Sequence, residues 1–225
     1  MICYTFKMDN QTVINKTVEF VKKSLAEAEG GHDWWHIYRV WKNAQHIANA
    51  EGKVDMLVVE LGALLHDIAD AKFHDGDEEI GPRIAREFLD SLGVTRAVRE
   101  QVENIVRHIS FKKNLAGQEW TSPELAVVQD ADRLDAIGAI GIARAFGYGG
   151  FIKASLYDPA ILPNVHMSKE ERKKEQSPTI NHFYEKLLLL KDLMNTVTGK
   201  KVAEDRHAFM ERYLDQFYAE WEGKK

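Results

Sequence analysis

A chain of 225 residues, 44% apolar and 29% charged, is long enough for a substantial core and fits one large domain or two small ones. Its formal net charge of −5 does not favour nucleic acid as a partner, so any phosphate binding has to come from a local cluster. One cysteine, Cys3, excludes a disulfide framework and suits a reducing cytoplasm, and there is neither a signal-peptide pattern nor an apolar run of about 18 residues to span a membrane.

Helical spacing dominates the chain. Val13, Thr17, Phe20, Val21, Leu25 and Ala28 recur three or four apart, which predicts an amphipathic helix over 12–29, stopped by Gly30-Gly31. Asp33 is placed to cap a second helix that buries Trp35, Val40, Ala44, Ile47 and Ala48 and closes at Gly52. Asp55 opens a third, apolar through Leu57, Val58, Leu61, Leu64 and Leu65, which ends at His66-Asp67. Residues 72–77 read as an exposed loop, 78–92 as a helix capped by Gly93, and Thr95 onward as a helix burying Val98, Val102, Ile105, Val106 and Ile109. Ser122-Pro123 is a start signal for a helix carrying Leu125, Val128, Asp132 and Asp135, with the small-residue run 136–145 able to continue it. The segment 147–177, with Gly147, Gly149, Gly150, two prolines and a charge run, breaks the pattern and reads as a mobile flap. Helices over 182–197, containing Leu187-Leu188-Leu189-Leu190, and over 202–221, with Phe209, Tyr213, Phe217 and Trp221, complete an all-α, single-domain chain over 1–225.

Chemistry concentrates at three places. His66-Asp67 offers an imidazole nitrogen and a carboxylate oxygen from adjacent positions, about 3.8 Å apart along the backbone. His36 lies one turn into the second helix and Asp132 midway along a later one. Two imidazoles and two carboxylates suit manganese, iron, cobalt, nickel or zinc and leave positions open for catalysis. Taken alone the dipeptide is ambiguous, since histidine and aspartate are both favoured where helices end, and His32-Asp33 repeats it. Asp130 and Asp135 carry the same donor as Asp132 close by.

A histidine on one helix, a His-Asp pair at a helix end and an aspartate on a later helix together resemble the HD superfamily of metal-dependent phosphohydrolases. The flanks agree: Arg39-Val40 follows His36, and Ala131-Asp132-Arg133-Leu134 is similar to the last family motif. The resemblance runs from about 31 to 150. The stretch from Asp130 to Gly138, with Asn181-His182-Phe183-Tyr184-Glu185-Lys186, is similar to a bacterial subgroup in which nucleotide pyrophosphohydrolases have been described.

The resemblance implies an HD-type helical bundle with its motif core at 31–150 and C-terminal helices over 178–222. It implies one divalent ion (Mn, Fe, Co, Ni, Mg or Zn) on His36, His66, Asp67 and Asp132, with Asp132 chosen over Asp130 and Asp135. It also implies a small phosphorylated substrate, a nucleotide. In related hydrolases of guanosine tetraphosphate an acidic residue three past the His-Asp aspartate prepares the attacking water; here that is Asp70, whose other reading is a helix-end residue. Lys72, His108 and Arg133 are candidates for the phosphoryl oxygens, and His182 and Lys186 for substrate contacts from the C-terminal region, although each is also an ordinary solvated charge. His74, among Asp75, Asp77, Glu78 and Glu79, is either a second metal site or part of a solvated loop. Trp34 and Trp35 either stack on a base or join the core, and at least one is expected in the core. Two rival functions fit the pattern: an HD-fold di-iron oxygenase, which wants further ligands such as His74 and His108, and a non-catalytic module with a structural metal, which the open coordination positions disfavour.

Overall fold

The structure, a computed structural model, describes residues 8–26, 33–69, 77–109, 120–165 and 177–225. Among the described residues the regular elements are all helical, as the spacing predicts. The chain divides into two compact units, Met1–Ala131 and Asp132–Lys225, and the division falls inside the stretch that carries the motifs.

The first unit is built on helices α1 (Asn10–Ser24), α2 (Trp34–Glu51), α3 (Met56–Leu65), α4 (Ile80–Ser91), α5 (Arg96–His108) and the first turns of α6 (Pro123–Asp135). Aspartates start three of them: Asp9 accepts from the Thr12 amide, Asp33 from the His36 amide and Asp55 from the Leu57 and Val58 amides. The first helix ends at Ser24, short of the predicted 29. At Gly52 the left-handed backbone (φ 69°) that only glycine adopts freely turns the chain from α2 toward α3. The central element is α3, which packs against α1, α2 and α5. Every residue from Val58 to Leu65 is buried, the signature of a helix apolar on all sides. Leu61, Leu64 and Leu65 are 0% exposed, and each such side chain contributes about 2 kcal/mol of transfer free energy. Gly62 lets α5 approach closely, since a Cβ there would stand 3.0 Å from the Ile105 Cδ1.

Polar bonds pin this apolar frame. The Trp41 Nε1 and Gln45 Nε2 of α2 both donate to the Glu60 Oε2 of α3, at 2.7 Å each. The backbone amide of Asp55 donates to Glu124 Oε1 (3.0 Å), and Gln129 Nε2 donates to the carbonyl of His108 (3.1 Å).

The second unit holds α7 (Gly138–Phe151), α8 (Asn181–Glu185), a 3-10 helix (Leu187–Leu193) and α9 (Val197–Trp221). Three departures from the expected elements occur here. The helix α6 does not run on through 136–145: the chain breaks at Ala136 and Ile137 and restarts at Gly138, whose φ is +74°. Residues 147–151, expected in the flap, are the last turns of α7, while 166–176 lie outside the described residues. The expected helix over 182–197 is instead one short turn of α8 followed by the 3-10 helix, with extended backbone at Met194. Arg144 Nη1 pairs with Asp135 Oδ2 at 2.6 Å and donates to the Asp135 carbonyl at 3.2 Å, and Arg206 Nη1 donates to the Leu134 carbonyl, so two arginines satisfy carbonyls at the end of α6.

Candidate metal centre

His36 occupies the third position of α2, where Asp33 accepts a hydrogen bond from its backbone amide at 2.9 Å. Its side chain points into the unit and is 2% exposed. His66 follows the last residue of α3 and is 6% exposed, and Asp67 lies in the turn beyond it, half-buried. The two imidazoles meet edge to face, 5.3 Å between ring centroids.

Among the described residues, the metal-ligating side chains that converge in a group are His36, His66 and Asp67, with one donor atom from each lying within 4.8 Å of the others. An ion holding donors at about 2.0–2.2 Å keeps neighbouring donors about 3.0–3.5 Å apart, so the trio has to close by at most about 1–2 Å at its widest pair, which side-chain rotation can supply.

The protonation of His66 adds to the fit. Its Nδ1 lies 2.8 Å from the Ala63 carbonyl oxygen. A carbonyl can only accept, so Nδ1 carries the proton and Nε2 keeps the lone pair that a cation takes. Ligating histidines commonly hold their other ring nitrogen in this way. Two imidazoles and one carboxylate match divalent transition ions and leave sites open to substrate.

The other predicted residues distribute as follows. Asp132 is half-buried on α6 and described with the second unit. Asp130 is fully buried, in keeping with a structural role, and Asp135 is taken by the ion pair with Arg144. Arg133 is 9% exposed and its Nη1 donates to the Leu193 carbonyl at 2.7 Å, so that nitrogen serves the fold. His108, at the end of α5, is 9% exposed and its ring stacks on Trp120 at 5.9 Å. Beside it Arg107 binds Glu79 and Glu103, and those bonds push the guanidinium pKa further up while tying α5 to α4. His182 is half-buried and Lys186 exposed. Asp70, Lys72 and His74 lie outside the described residues. The helix of Asp67 ends at Leu65, so Asp70 is not placed by an unbroken helical offset, and its role rests on the resemblance alone. Of the two tryptophans, Trp34 is half-buried and Trp35 is 61% exposed, so neither is in the core, where at least one is expected, and Trp35 is not on the buried face of α2, where the spacing predicts it.

Sequence reasoning passed over Trp120, Gln129 and Glu60. A polar residue on a face that is otherwise apolar is the signal that could have found Gln129 and Glu60.

Residues 34–137 match the HD domain family model. The chain is 37% identical over 198 residues to the uncharacterized protein YpgQ of Bacillus subtilis (strain 168), covering 88% of both. It is also similar to the crystal structure of an HD-superfamily hydrolase from Bacillus thuringiensis: TM-score 0.77, 42% identity, 95% of this chain and 99% of that one. A crystal structure of B. subtilis YpgQ in complex with ADP matches at TM-score 0.72 and 35% identity, over 95% of this chain and 97% of that one.

Proposed function

From the premise that this chain belongs to the HD domain family, we propose that it is a metal-dependent phosphohydrolase that cleaves a phosphate ester or anhydride of a nucleotide. The observation that carries this reading is the convergence of His36, His66 and Asp67 with the His66 proton held at Nδ1. The ADP bound by the B. subtilis relative supports a nucleotide as the substrate class.

His36, His66 and Asp67 hold the ion, with Asp132 as the further ligand that the family motif assigns. When bound, a divalent ion there polarises a phosphoryl oxygen and makes water more acidic. The chain's own groups do the rest. Asp70 accepts the proton of the attacking water as the water oxygen bonds to phosphorus and the bond to the leaving oxygen breaks. Lys72 and His108 offset charge on the phosphoryl oxygens, with Arg133, His182 and Lys186 as further substrate contacts. Burial of His36 and His66 lowers the dielectric around their own donor atoms, which strengthens their hold on a cation.

The test is a screen of nucleoside mono-, di- and triphosphates and cyclic nucleotides against chelator-treated protein reloaded with Mn, Fe, Co, Ni, Mg or Zn, with products separated by chromatography. Turnover that needs an ion and stops with chelator is expected. Two imidazoles and a carboxylate also serve non-haem iron oxygenases, so oxygen uptake is recorded with ferrous iron. Metal-loaded protein that hydrolyses no phosphate compound refutes the proposal, and oxygen uptake in its place selects the oxygenase.

A further inference from the structure

On the α2–α3 hairpin, the only charged residue of an otherwise apolar helix has no part in ligation. Glu60 is 9% exposed, and a single oxygen of it, Oε2, receives both the indole N–H of Trp41 and the amide N–H of Gln45 at 2.7 Å. Trp41 and Gln45 are four apart, so they lie on one face of α2. We propose that Glu60 is a positioning residue for the metal centre, a clamp that sets the register of the helix bearing His36 against the helix leading to His66 and Asp67. The inference rests on the metal reading given above.

The geometry supplies the reason. The pairs Gln45–Glu60, Trp41–Glu60 and His36–His66 nest around the turn at 52–55, so the helices run antiparallel, with the clamp midway and the ligands at the open end. Along the helix axes the clamp residues lie about 7.5 Å (Trp41) and about 13.5 Å (Gln45) from His36 and about 9 Å (Glu60) from His66, whereas the turn lies about 24 Å from His36. A splay of about 5° lies well inside the scatter of helix crossing angles, and about the turn it would carry His36 by about 2 Å. About the clamp, whose midpoint on α2 is about 10 Å from His36, the same angle moves it by about 0.9 Å. A productive site tolerates about 0.5 Å, so the splay about the turn exceeds it about fourfold and the clamp cuts that excess to less than twofold. His36 aside, the other buried side chains of the two packed helices are apolar (Ile37, Val40, Ala44 and Ile47 on α2; Val58, Leu61 and Leu65 on α3), and apolar packing is without direction. A carboxylate with two convergent donors defines one register, the best attested use of a buried polar group.

The experiment titrates cobalt(II) into the chelator-treated full chain, reading affinity and the visible ligand-field spectrum, with helix content and melting temperature alongside. Three variants are compared: Glu60→Gln, Glu60→Leu, and Trp41→Phe combined with Gln45→Leu, which leaves the carboxyl group in place. Glu60→Gln keeps an oxygen able to accept both donors, so its affinity stays within about threefold of wild type. Glu60→Leu and the double variant each weaken cobalt binding by at least about tenfold, with a shifted spectrum and unchanged helix content. A clamp that only stabilises the fold lowers the melting temperature and leaves affinity and spectrum alone, which overturns the proposal, as does a Glu60→Gln variant as weak as Glu60→Leu. If Glu60→Leu does not fold, the double variant decides; if neither folds, Glu60 is a folding element and the positioning role is wrong. A wild-type chain that takes up no cobalt refutes the metal reading itself, and this inference with it.

Discussion

Removing the Asp67 carboxylate leaves two imidazoles where three donors converge, and the effect can be worked out in degrees of melting temperature. An ion at a concentration a hundred times its Kd stabilises the folded chain by about 2.7 kcal/mol. For a chain of this length, 1 kcal/mol moves the melting temperature by about 2–4 °C, so metal should raise it by about 5–11 °C. Loss of an outer partner of a metal site weakens binding by about 10–100-fold, and loss of a ligand does at least as much. At a hundredfold weaker affinity the same metal concentration equals Kd, which leaves about 0.4 kcal/mol, or about 1–2 °C. The metal-free proteins set the baseline, so whatever Asp67→Ala costs the fold itself is subtracted from the response to metal. Calorimetry on chelator-treated protein, with and without Mn, Co or Zn at one fixed concentration, measures all four quantities. The reasoning is refuted if metal leaves the wild-type melting temperature unmoved, or if Asp67→Ala responds to metal as wild type does.

Asp70→Asn should retain metal while turnover falls by about 10²–10⁴, the usual worth of a general base; a variant that loses metal would move Asp70 into the ligand set. Within α7 one substitution should have opposite signs at two positions. Gly147 has nothing within 4 Å of a built Cβ, so Gly147→Ala should raise the melting temperature by about 1–4 °C through helix propensity alone. At Gly141 a Cβ would collide with the Ala136 carbonyl, so Gly141→Ala should lower it by several degrees; equal responses would show that the turn at 136–137 is soft. Asp9 takes the Thr12 amide bond only as a good acceptor, and that bond holds its pKa below the usual carboxylate value. Its contribution is therefore present at neutral pH and lost as pH falls through the folded-state pKa. Asp9→Ala should lower the melting temperature at about pH 7 by more than at about pH 2; a gap independent of pH would contradict the cap.

What could be read from sequence was whatever depends on neighbours three or four residues away. Asp33 and Asp55 cap where predicted because capping needs only a short acceptor followed by free amides. The pair His66-Asp67 follows the end of α3 at Leu65, where the apolar run predicts a helix end. The leucine quartet was misread for a physical reason. Four leucines in a row carry no phase, and in the structure Leu187 and Leu190 are buried while Leu189 is 47% exposed, the three-residue period of a 3-10 helix. Gly147, Gly149 and Gly150 suggest a loop, yet all three lie in α7, and at Gly149 a side chain would meet the Thr179 hydroxyl. Gly149 reports close packing within the unit, which is a long-range fact, whereas Gly147 and Gly150 have nothing within 4 Å of a built Cβ. The Glu60 clamp was invisible for the same reason, since its partners lie 15 and 19 residues away.

The placement of the two histidines follows from how helices end. The first amides and last carbonyls of a helix have no partner within it. His36 sits at the third residue of α2, and its amide is one of those leftover donors, satisfied by Asp33. His66 sits just past α3, and its Nδ1 satisfies one of the leftover acceptors, the Ala63 carbonyl. Both bonds span three residues, so each forms as soon as its own helix does. The bond that finishes α2 fixes the backbone of one ligand, and the bond that finishes α3 fixes the ring and tautomer of the other. Local structure therefore aims the donors before any ion arrives, and the rest of the task is to bring two helix ends within reach of each other. That is set by the antiparallel hairpin, whose apolar contact supplies the attraction and whose one buried carboxyl group supplies the register.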